Sequence, residues 1–213
     1  MRLKTAGCSE SFVPFLDALL AGDKPRCRAL VEQLLDQNVS ALSLYVDYFS
    51  AALYEIGHRW EHGQISVAVE HLATVIVEDL MAQVFARVAR PGLGRKRAVV
   101  FCGADELHQV GGRMVADTLE LSGWDVAFLG ANTPTEDLVN QVESWNPHLA
   151  ALSVTLERNL EKAVETLHAL HRSRPHLLLL AGGQAVSKNL PKTSECPGVT
   201  TLSSLPELLE LSM

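Results

Sequence analysis

Glu106 and His108 are the residues whose types and spacing best suit chemistry in this sequence. They stand two apart in the stretch ELHQVG, residues 106–111, between an apolar run at 98–102 that predicts a buried strand and a predicted helix at 110–122. Loops that leave the strands of an open α/β sheet are where such sheets bind ligands. An imidazole there suits a transition metal or acid–base chemistry, and the nearby carboxylate can hold its other ring nitrogen.

Two more sites, whose hydroxyl side chains or glycine backbone could contact a ligand, also follow strand-like runs. Ser153 and Thr155 close the third apolar run, and Gly182 and Gly183 close the fourth. Gly111 is separated from Ser153 by 41 residues, and Thr155 is separated from Gly182 by 26. Because each site follows a strand, we expect all of them at one edge of the sheet.

The three sites together resemble the signature of the cobalamin-binding domain of methionine synthase, corrinoid methyl-carrier proteins and cobalamin-dependent light sensors. That signature is Asp/Glu-x-His-x-x-Gly, about 41 residues, Ser-x-Leu, about 26 to 28 residues, and Gly-Gly; here Thr155 replaces the usual leucine. The resemblance implies that His108 is the lower axial ligand of cobalt and that Glu106 is its hydrogen-bonding partner. It also implies a cofactor-binding slot for the dimethylbenzimidazole tail, lined by Gly111, Ser153, Thr155, Gly182 and Gly183.

Composition limits the class of protein. The chain has 213 residues and is 47% hydrophobic, which is enough apolar content for a folded core. Its net charge of −7 argues against direct nucleic-acid binding. The four cysteines show no paired spacing, which favours a reducing compartment. No apolar run approaches the roughly 18 residues that span a bilayer, and residues 1–11 do not resemble a signal peptide. We therefore expect a cytoplasmic protein with no membrane partner.

The hydrophobic pattern predicts two domains. Residues 1–90 are expected to form a four-helix bundle that acts as a cap domain, with helices from Ser9 or Ser11 to Ala21, from Asp23 to Asp36, from Ser40 to Trp60 and from Ser66 to Val88. Residues 91–97 are a predicted linker rich in proline, glycine and charge. Residues 98–213 are the predicted cobalamin-binding domain.

Strand-like runs and helical stretches alternate after the linker, which predicts an α/β domain with a parallel sheet. The predicted strands are 98–102, 125–129, 149–153, 177–181 and 199–202, and the predicted helices are 110–122, 134–145, 157–173, 184–189 and 205–211. The resemblance implies a flavodoxin-like (Rossmann-like) five-stranded order.

Trp60 and the Glu70-His71 pair flank a short turn between the last two predicted helices of the bundle. Taken alone, they fit a tryptophan packed between helices with charged neighbours in solvent. The spacing of tryptophan, nine residues, then Glu-His also resembles the bundle of CarH-type regulators, light sensors that use adenosylcobalamin. That resemblance implies that Trp60 covers the adenosyl group, Glu70 binds its hydroxyls and His71 lies beside it.

The resemblance departs from the CarH pattern in two places. Those regulators carry an N-terminal DNA-binding helix-turn-helix domain, and this chain is expected to lack one. Some of them also place a histidine directly after the tryptophan as a cobalt ligand once the adenosyl group is lost. Here Glu61 takes that position and His62 follows. The resemblance therefore implies that either His62 or water would be the upper ligand after photolysis.

The function favoured by these patterns is a stand-alone adenosylcobalamin photoreceptor module rather than an enzyme. Light would break the cobalt–carbon bond and alter domain packing, self-association or the binding of a protein partner. The alternatives are a corrinoid methyl-carrier protein of a methyltransferase system and a cobalamin-reading antirepressor. No substrate domain is visible in the sequence, which disfavours an adenosyl-dependent mutase.

Overall fold

The computed structural model describes residues 8–89, 94, 96–190 and 196–212. The chain divides into two compact units, Met1–Ala89 and Arg90–Met213. Most of the predicted linker, residues 91–93 and 95, lies outside the described residues. Arg97, which the sequence predicts to be part of the linker, belongs instead to the first strand.

Four helices make up the described part of the first unit, in the order that the sequence predicts. Helix α1 spans Cys8–Leu20 and α2 spans Lys24–Asp36. Helix α3 runs without a break through three segments, Ala41–Ser43, a π-helical stretch Leu44–Ser50, and Ala51–Glu61, and α4 spans Val67–Val88.

Side-chain caps begin three of these helices. Asp23 accepts a hydrogen bond from the Arg26 N–H at 3.0 Å, Ser40 from Ser43 at 3.1 Å and Ser66 from Val69 at 3.4 Å. These three starts agree with the sequence prediction. The predicted start of α1 was wrong, because the helix already includes Cys8 and so contains both Ser9 and Ser11.

Aromatic side chains fill the core of the helical unit. Phe15 packs edge-on against Tyr48, with ring centroids 6.1 Å apart, and lies 5.7 Å from the ring of Phe49. All three are buried. Helices α1 and α3 are therefore joined by contacts that aromatic rings make in their preferred tilted and edge-on geometries.

The second unit is built on a five-stranded sheet in which all strand pairs are parallel. Its strands are β1 Arg97–Cys102, β2 Asp125–Phe128, β3 Leu149–Ser153, β4 Leu178–Gly182 and β5 Val199–Thr201. Their spatial order is β2-β1-β3-β4-β5, so the predicted α/β class and flavodoxin-like order are confirmed. The order reverses between β1 and β3, which is where such sheets open a ligand-binding crevice.

Helices cover both faces of this sheet. They are α5 Val110–Leu121, α6 Thr135–Trp145, α7 Leu160–Ser173, α8 Gln184–Lys188 and α9 Leu205–Ser212. A short 3₁₀ turn, Glu157–Asn159, precedes α7, so the predicted helix start at 157 is a separate turn. Buried residues form one cluster on each face of the sheet.

Within the described ranges, no helix combines the length and apolar character needed to cross a membrane.

Candidate functional site

Glu106 holds His108 at the carboxyl end of β1. The His108 Nδ1 lies 2.7 Å from Glu106 Oε1, and the backbone N–H of His108 donates to the same oxygen at 3.0 Å. The Glu106 side chain is 1% exposed, whereas that of His108 is 51% exposed. The carboxylate is therefore part of the protein interior and the imidazole that it orients reaches the surface.

The second oxygen of the Glu106 carboxylate joins this loop to the segment after β3. Oε2 accepts hydrogen bonds from the backbone N–H of Thr155 at 2.9 Å, from that of Leu156 at 3.2 Å, and from Asn159 Nδ2 at 3.1 Å. Each of these donors lies about fifty positions along the chain from Glu106. A single carboxylate thus fixes the position of two loops at the switch point of the sheet.

These donors also keep Glu106 ionised. Burial by itself would raise the pKa of Glu106, but hydrogen bonds from the His108 ring, Asn159 and the backbone N–H groups of Thr155 and His108 outweigh it. They lower the pKa from 4.5 to about 2. The carboxylate is consequently a permanent acceptor at neutral pH.

The Glu106 contact sets the chemistry of the His108 ring. In the neutral imidazole, the nitrogen that faces a carboxylate carries the proton, so Nδ1 is the donor and the lone pair is on Nε2. A histidine that ligates a metal has this arrangement, with its other nitrogen held by a carboxylate. The residues present therefore fit an axial ligand of a cobalt-containing cofactor.

The predicted tail slot begins where three strands end in register. Ser153 pairs with Cys102 on one side and with Gly182 on the other, so the ends of β1, β3 and β4 are level. A Cβ built on Gly111 would lie 3.3 Å from Ser153 Oγ, which places that glycine against the same strand end. The structure thus brings Gly111, Ser153 and Gly182 together, beside the backbone of Thr155.

Gly183 is required by the chain itself. Its φ is +104°, and a Cβ at this position would lie 2.3 Å from the carbonyl oxygen of Val154. In contrast, a Cβ on Gly182 would meet Leu202 O at 3.5 Å, an ordinary van der Waals contact. The backbone approach to Val154 accounts for the second glycine without any ligand, whereas no such constraint acts on Gly182.

Two asparagines that the sequence analysis missed support the His108 loop. Asn159 is 5% exposed and donates from its side chain to Asp105 O as well as to Glu106. Asn132, in the left-handed region with φ 53°, accepts from the Asp105 N–H at 2.9 Å and donates from its backbone to Glu106 O at 2.9 Å. No local sequence motif around either asparagine predicts these hydrogen bonds to the His108 loop, although Asn132 lies in a predicted strand-to-helix turn.

The loop of Asn132 also borders an open cavity of about 320 Å³. It is lined by Leu129, Ala131, Asn132, Thr133, Pro134, Asp137 and Gln141. This cavity lies at the carboxyl end of β2, next to the His108 loop.

The candidate residues of the helical unit occupy the end of α3 and the start of α4. Trp60 is 46% exposed, which is unusual for tryptophan and leaves its ring available to a ligand or partner. Glu70 accepts from Thr74 Oγ1 at 3.1 Å and lies 3.4 Å from His71 Nε2. His62 donates from Nδ1 to His58 O at 2.8 Å. Glu70 is thus oriented on its helix, with His71 beside it.

A flavodoxin-like sheet with an oriented imidazole at its switch point is an arrangement that suits the binding of a cofactor through a histidine. Residues 96–201 match the family model described as B12 binding domain, and residues 14–84 match a second family model with the same description. The chain belongs to the B12-binding family, and its sheet unit is a cobalamin-binding domain.

Known proteins similar to this chain include both repressors and corrinoid proteins. The HTH-type transcriptional repressor CarH of Myxococcus xanthus is 32% identical over 178 residues, which are 82% of this chain and 57% of CarH. The chain thus spans little more than half the length of that relative. Trimethylamine corrinoid protein 1 of Methanosarcina acetivorans is 21% identical over 81% of this chain and 82% of its own length.

A solved structure shows the same fold. The monomethylamine corrinoid protein of Methanosarcina barkeri superimposes with a TM-score of 0.82 at 18% identity, over 96% of this chain and 97% of that one. A helical N-terminal region followed by a five-stranded parallel sheet is therefore the fold of a corrinoid-binding protein.

Proposed function

We propose that this chain is an adenosylcobalamin-binding photoreceptor module in which His108 is the lower axial ligand of cobalt. The observation that carries the cobalamin part is the contact of 2.7 Å between His108 Nδ1 and the buried Glu106 carboxylate. That contact directs the lone pair of the imidazole to Nε2 and keeps the ring oriented, which is what an axial ligand requires.

The remaining residues of the sheet unit would receive the nucleotide tail. Ser153 and Gly182 lie at the level strand ends, Gly111 is close to Ser153, and Thr155 is anchored by its N–H to Glu106. Gly183 would act by allowing the chain to turn against Val154, which keeps the slot in shape.

The choice of the adenosyl form rests on Trp60, Glu70 and His71. When bound, adenosylcobalamin supplies a cobalt–carbon bond that visible light breaks. Trp60 offers a half-exposed flat apolar surface, and Glu70 offers carboxylate oxygens to the hydroxyls of a nucleoside. Similarity to CarH over 82% of this chain supports this part of the proposal.

The output would be a change of association. Loss of the upper group would remove the contacts that Trp60 and Glu70 make with it, and the protein would change how its units pack, its oligomeric state or its affinity for a protein partner. A role as a corrinoid methyl carrier is the second candidate. It is favoured by similarity to Trimethylamine corrinoid protein 1 over about four fifths of both chains.

The axial role of His108 is tested by its substitution with alanine. We expect His108→Ala to weaken cobalamin binding by about tenfold or more and to shift the visible spectrum of the bound cofactor. His176→Ala, at an exposed histidine of the same unit, is the matched control. An unchanged spectrum and affinity in His108→Ala would remove this residue from the site.

The light response is tested on the intact protein loaded with adenosylcobalamin in the dark. We expect illumination with green light to change the absorbance spectrum rapidly and to change the elution volume on a sizing column. Trp60→Ala and Glu70→Gln should reduce the preference for adenosylcobalamin over methylcobalamin. Equal binding of the two cofactors by the unmutated protein, with no response to light, would favour the methyl carrier.

A further inference from the structure

The last turn of α3 carries a second arrangement of metal-binding side chains. His58 and His62 stand four residues apart in the sequence His58-Arg59-Trp60-Glu61-His62, which has the form H-x-x-E-H. Residues at i and i+4 lie on one face of a helix, and paired histidines at this spacing bind zinc in several enzyme classes.

The two imidazole rings lie side by side. Their centroids are 4.1 Å apart with an interplanar angle of 31°, and both residues are exposed. His62 Nδ1 lies 2.8 Å from the carbonyl oxygen of His58. A carbonyl oxygen only accepts hydrogen bonds, so this nitrogen carries the proton, and in the neutral ring Nε2 has the lone pair. His62 is thus held in the tautomer that binds a metal through Nε2.

The charges around the pair suit a cation. Arg59, which lies between the two histidines in sequence, donates from Nε to Glu55 Oε1 at 2.7 Å, so its charge is compensated. Glu61 is exposed and adjacent to His62, and adds a negative charge on the same turn. A divalent ion bound to the two imidazoles would therefore lie near the negative charge of Glu61, and the positive charge of Arg59 would not repel it strongly.

We propose that His58 and His62 bind a divalent transition metal ion of the zinc class, at a site that does not require bound corrinoid. Modest rotation of the two exposed side chains would bring their ring nitrogens to the roughly 2.0–2.1 Å that zinc requires. Across the described ranges, no group of three or more His, Cys, Asp and Glu side chains is placed to hold a metal. The ion would thus have two protein ligands and water in its other positions, so the site is exchangeable rather than structural.

The bound ion would link residues one turn apart at the end of α3, where Trp60 is placed. It would stabilise the helix end and fix the segment that presents Trp60. It would also occupy the ring nitrogen of His62, so His62 would no longer be available as an upper ligand of cobalt. Metal concentration would then influence the state of the helical unit whether or not the corrinoid is bound.

The test is calorimetric titration of zinc chloride into the full chain, freed of metal and of corrinoid, in imidazole-free buffer. Every protein carries Cys8→Ser, because a cysteine thiolate is also a zinc ligand. We expect one site in this background protein, and at least tenfold weaker binding in both His58→Ala and His62→Ala. His168→Ala is the matched control, because His168 and His171 form an i, i+3 histidine pair on α7. This variant should bind zinc as tightly as the background protein does.

A second measurement separates loss of the site from loss of the fold. Zinc should raise the midpoint of thermal unfolding of the background protein and of His168→Ala. It should leave the midpoints of His58→Ala and His62→Ala unchanged. The far-ultraviolet circular dichroism of all variants should match. No zinc binding by the background protein, or equal binding by all variants, would overturn the proposal. Because no corrinoid is present, neither result depends on the proposed photoreceptor function.

Discussion

At the residue scale, Glu106 shows how a buried charge can be kept in an interior position. Its two oxygens accept hydrogen bonds from different partners. Oε1 accepts from the ring and the backbone N–H of His108, and Oε2 accepts from Thr155, Leu156 and Asn159. Each donor compensates part of the cost of removing the carboxylate from water. The same side chain thus orients a surface imidazole and holds the segment after β3.

Glu106→Gln should destabilise the sheet unit. Glutamine retains one acceptor oxygen and places an NH₂ group where donors point at the carboxylate, so at least one buried N–H loses its partner. An unsatisfied buried donor costs about 1–3 kcal/mol, and we expect a loss of unfolding free energy of that size in urea titrations of the cofactor-free protein. Glu161→Gln, exposed at the start of α7, should unfold like the unmutated chain.

The two neighbouring glycines should respond differently to alanine. Gly183→Ala forces a Cβ to within 2.3 Å of Val154 O at a φ of +104°, so we expect the sheet unit to lose about 2 kcal/mol or more of stability. Gly182→Ala makes an ordinary contact and should leave thermal unfolding nearly unchanged. If Gly182 lines the tail slot, its alanine variant should still bind cobalamin less tightly, which equilibrium dialysis would measure.

At the element scale, local chemistry explains why most boundaries could be predicted. Asp23, Ser40 and Ser66 each cap the helix that follows, and side chains of this type satisfy exposed backbone donors wherever a helix starts. The strands follow from short apolar runs, and β3 was predicted at the residues where it is found. These features depend only on neighbours in sequence, so they are visible without the fold.

Tertiary support of the site could not be predicted in the same way. Asn159 donates to Glu106 from 53 positions further along the chain, and nothing in its own surroundings indicates that partner. Gly183 is predicted from the sequence as part of a ligand slot, and that role stays a prediction, whereas its close approach to Val154 is a property of the folded backbone. Polar contacts between distant loops depend on the fold, which is why sequence patterns miss them.

Gly57 offers a test of helix α3 by itself. It lies within the Ala51–Glu61 segment, and a Cβ built on it would meet no atom within 4 Å. Alanine favours a helix interior over glycine by about 1 kcal/mol, so Gly57→Ala should stabilise the helical unit by up to that amount. Thermal unfolding followed by circular dichroism checks this, and a lower midpoint would contradict the helix at this position.

At the scale of the whole molecule, the chain consists of two compact units, Met1–Ala89 and Arg90–Met213. Each has buried residues of its own, including Phe15 and Tyr48 in the first and Phe101 and Leu179 in the second. Units of this size with separate cores are able to unfold as separate cooperative steps.

We therefore expect calorimetry of the cofactor-free protein to resolve two transitions. Gly57→Ala should move one of them upwards, and Glu106→Gln should move the other downwards, because each substitution lies within a single unit. Both variants shifting one shared transition would show instead that the two units unfold together.

The π-helical stretch Leu44–Ser50 has a consequence for the direction in which the end of α3 faces. A π turn commonly accommodates one residue more than an α-helical turn, and one residue of α-helix corresponds to a rotation of about 100° and a rise of 1.5 Å. The two ends of α3 are therefore out of phase with an uninterrupted helix. Deleting one residue from the stretch would restore regular winding and would turn Trp60 and both histidines about a quarter of the way around the helix axis, so the direction in which they face depends on a π-helical stretch more than two turns away.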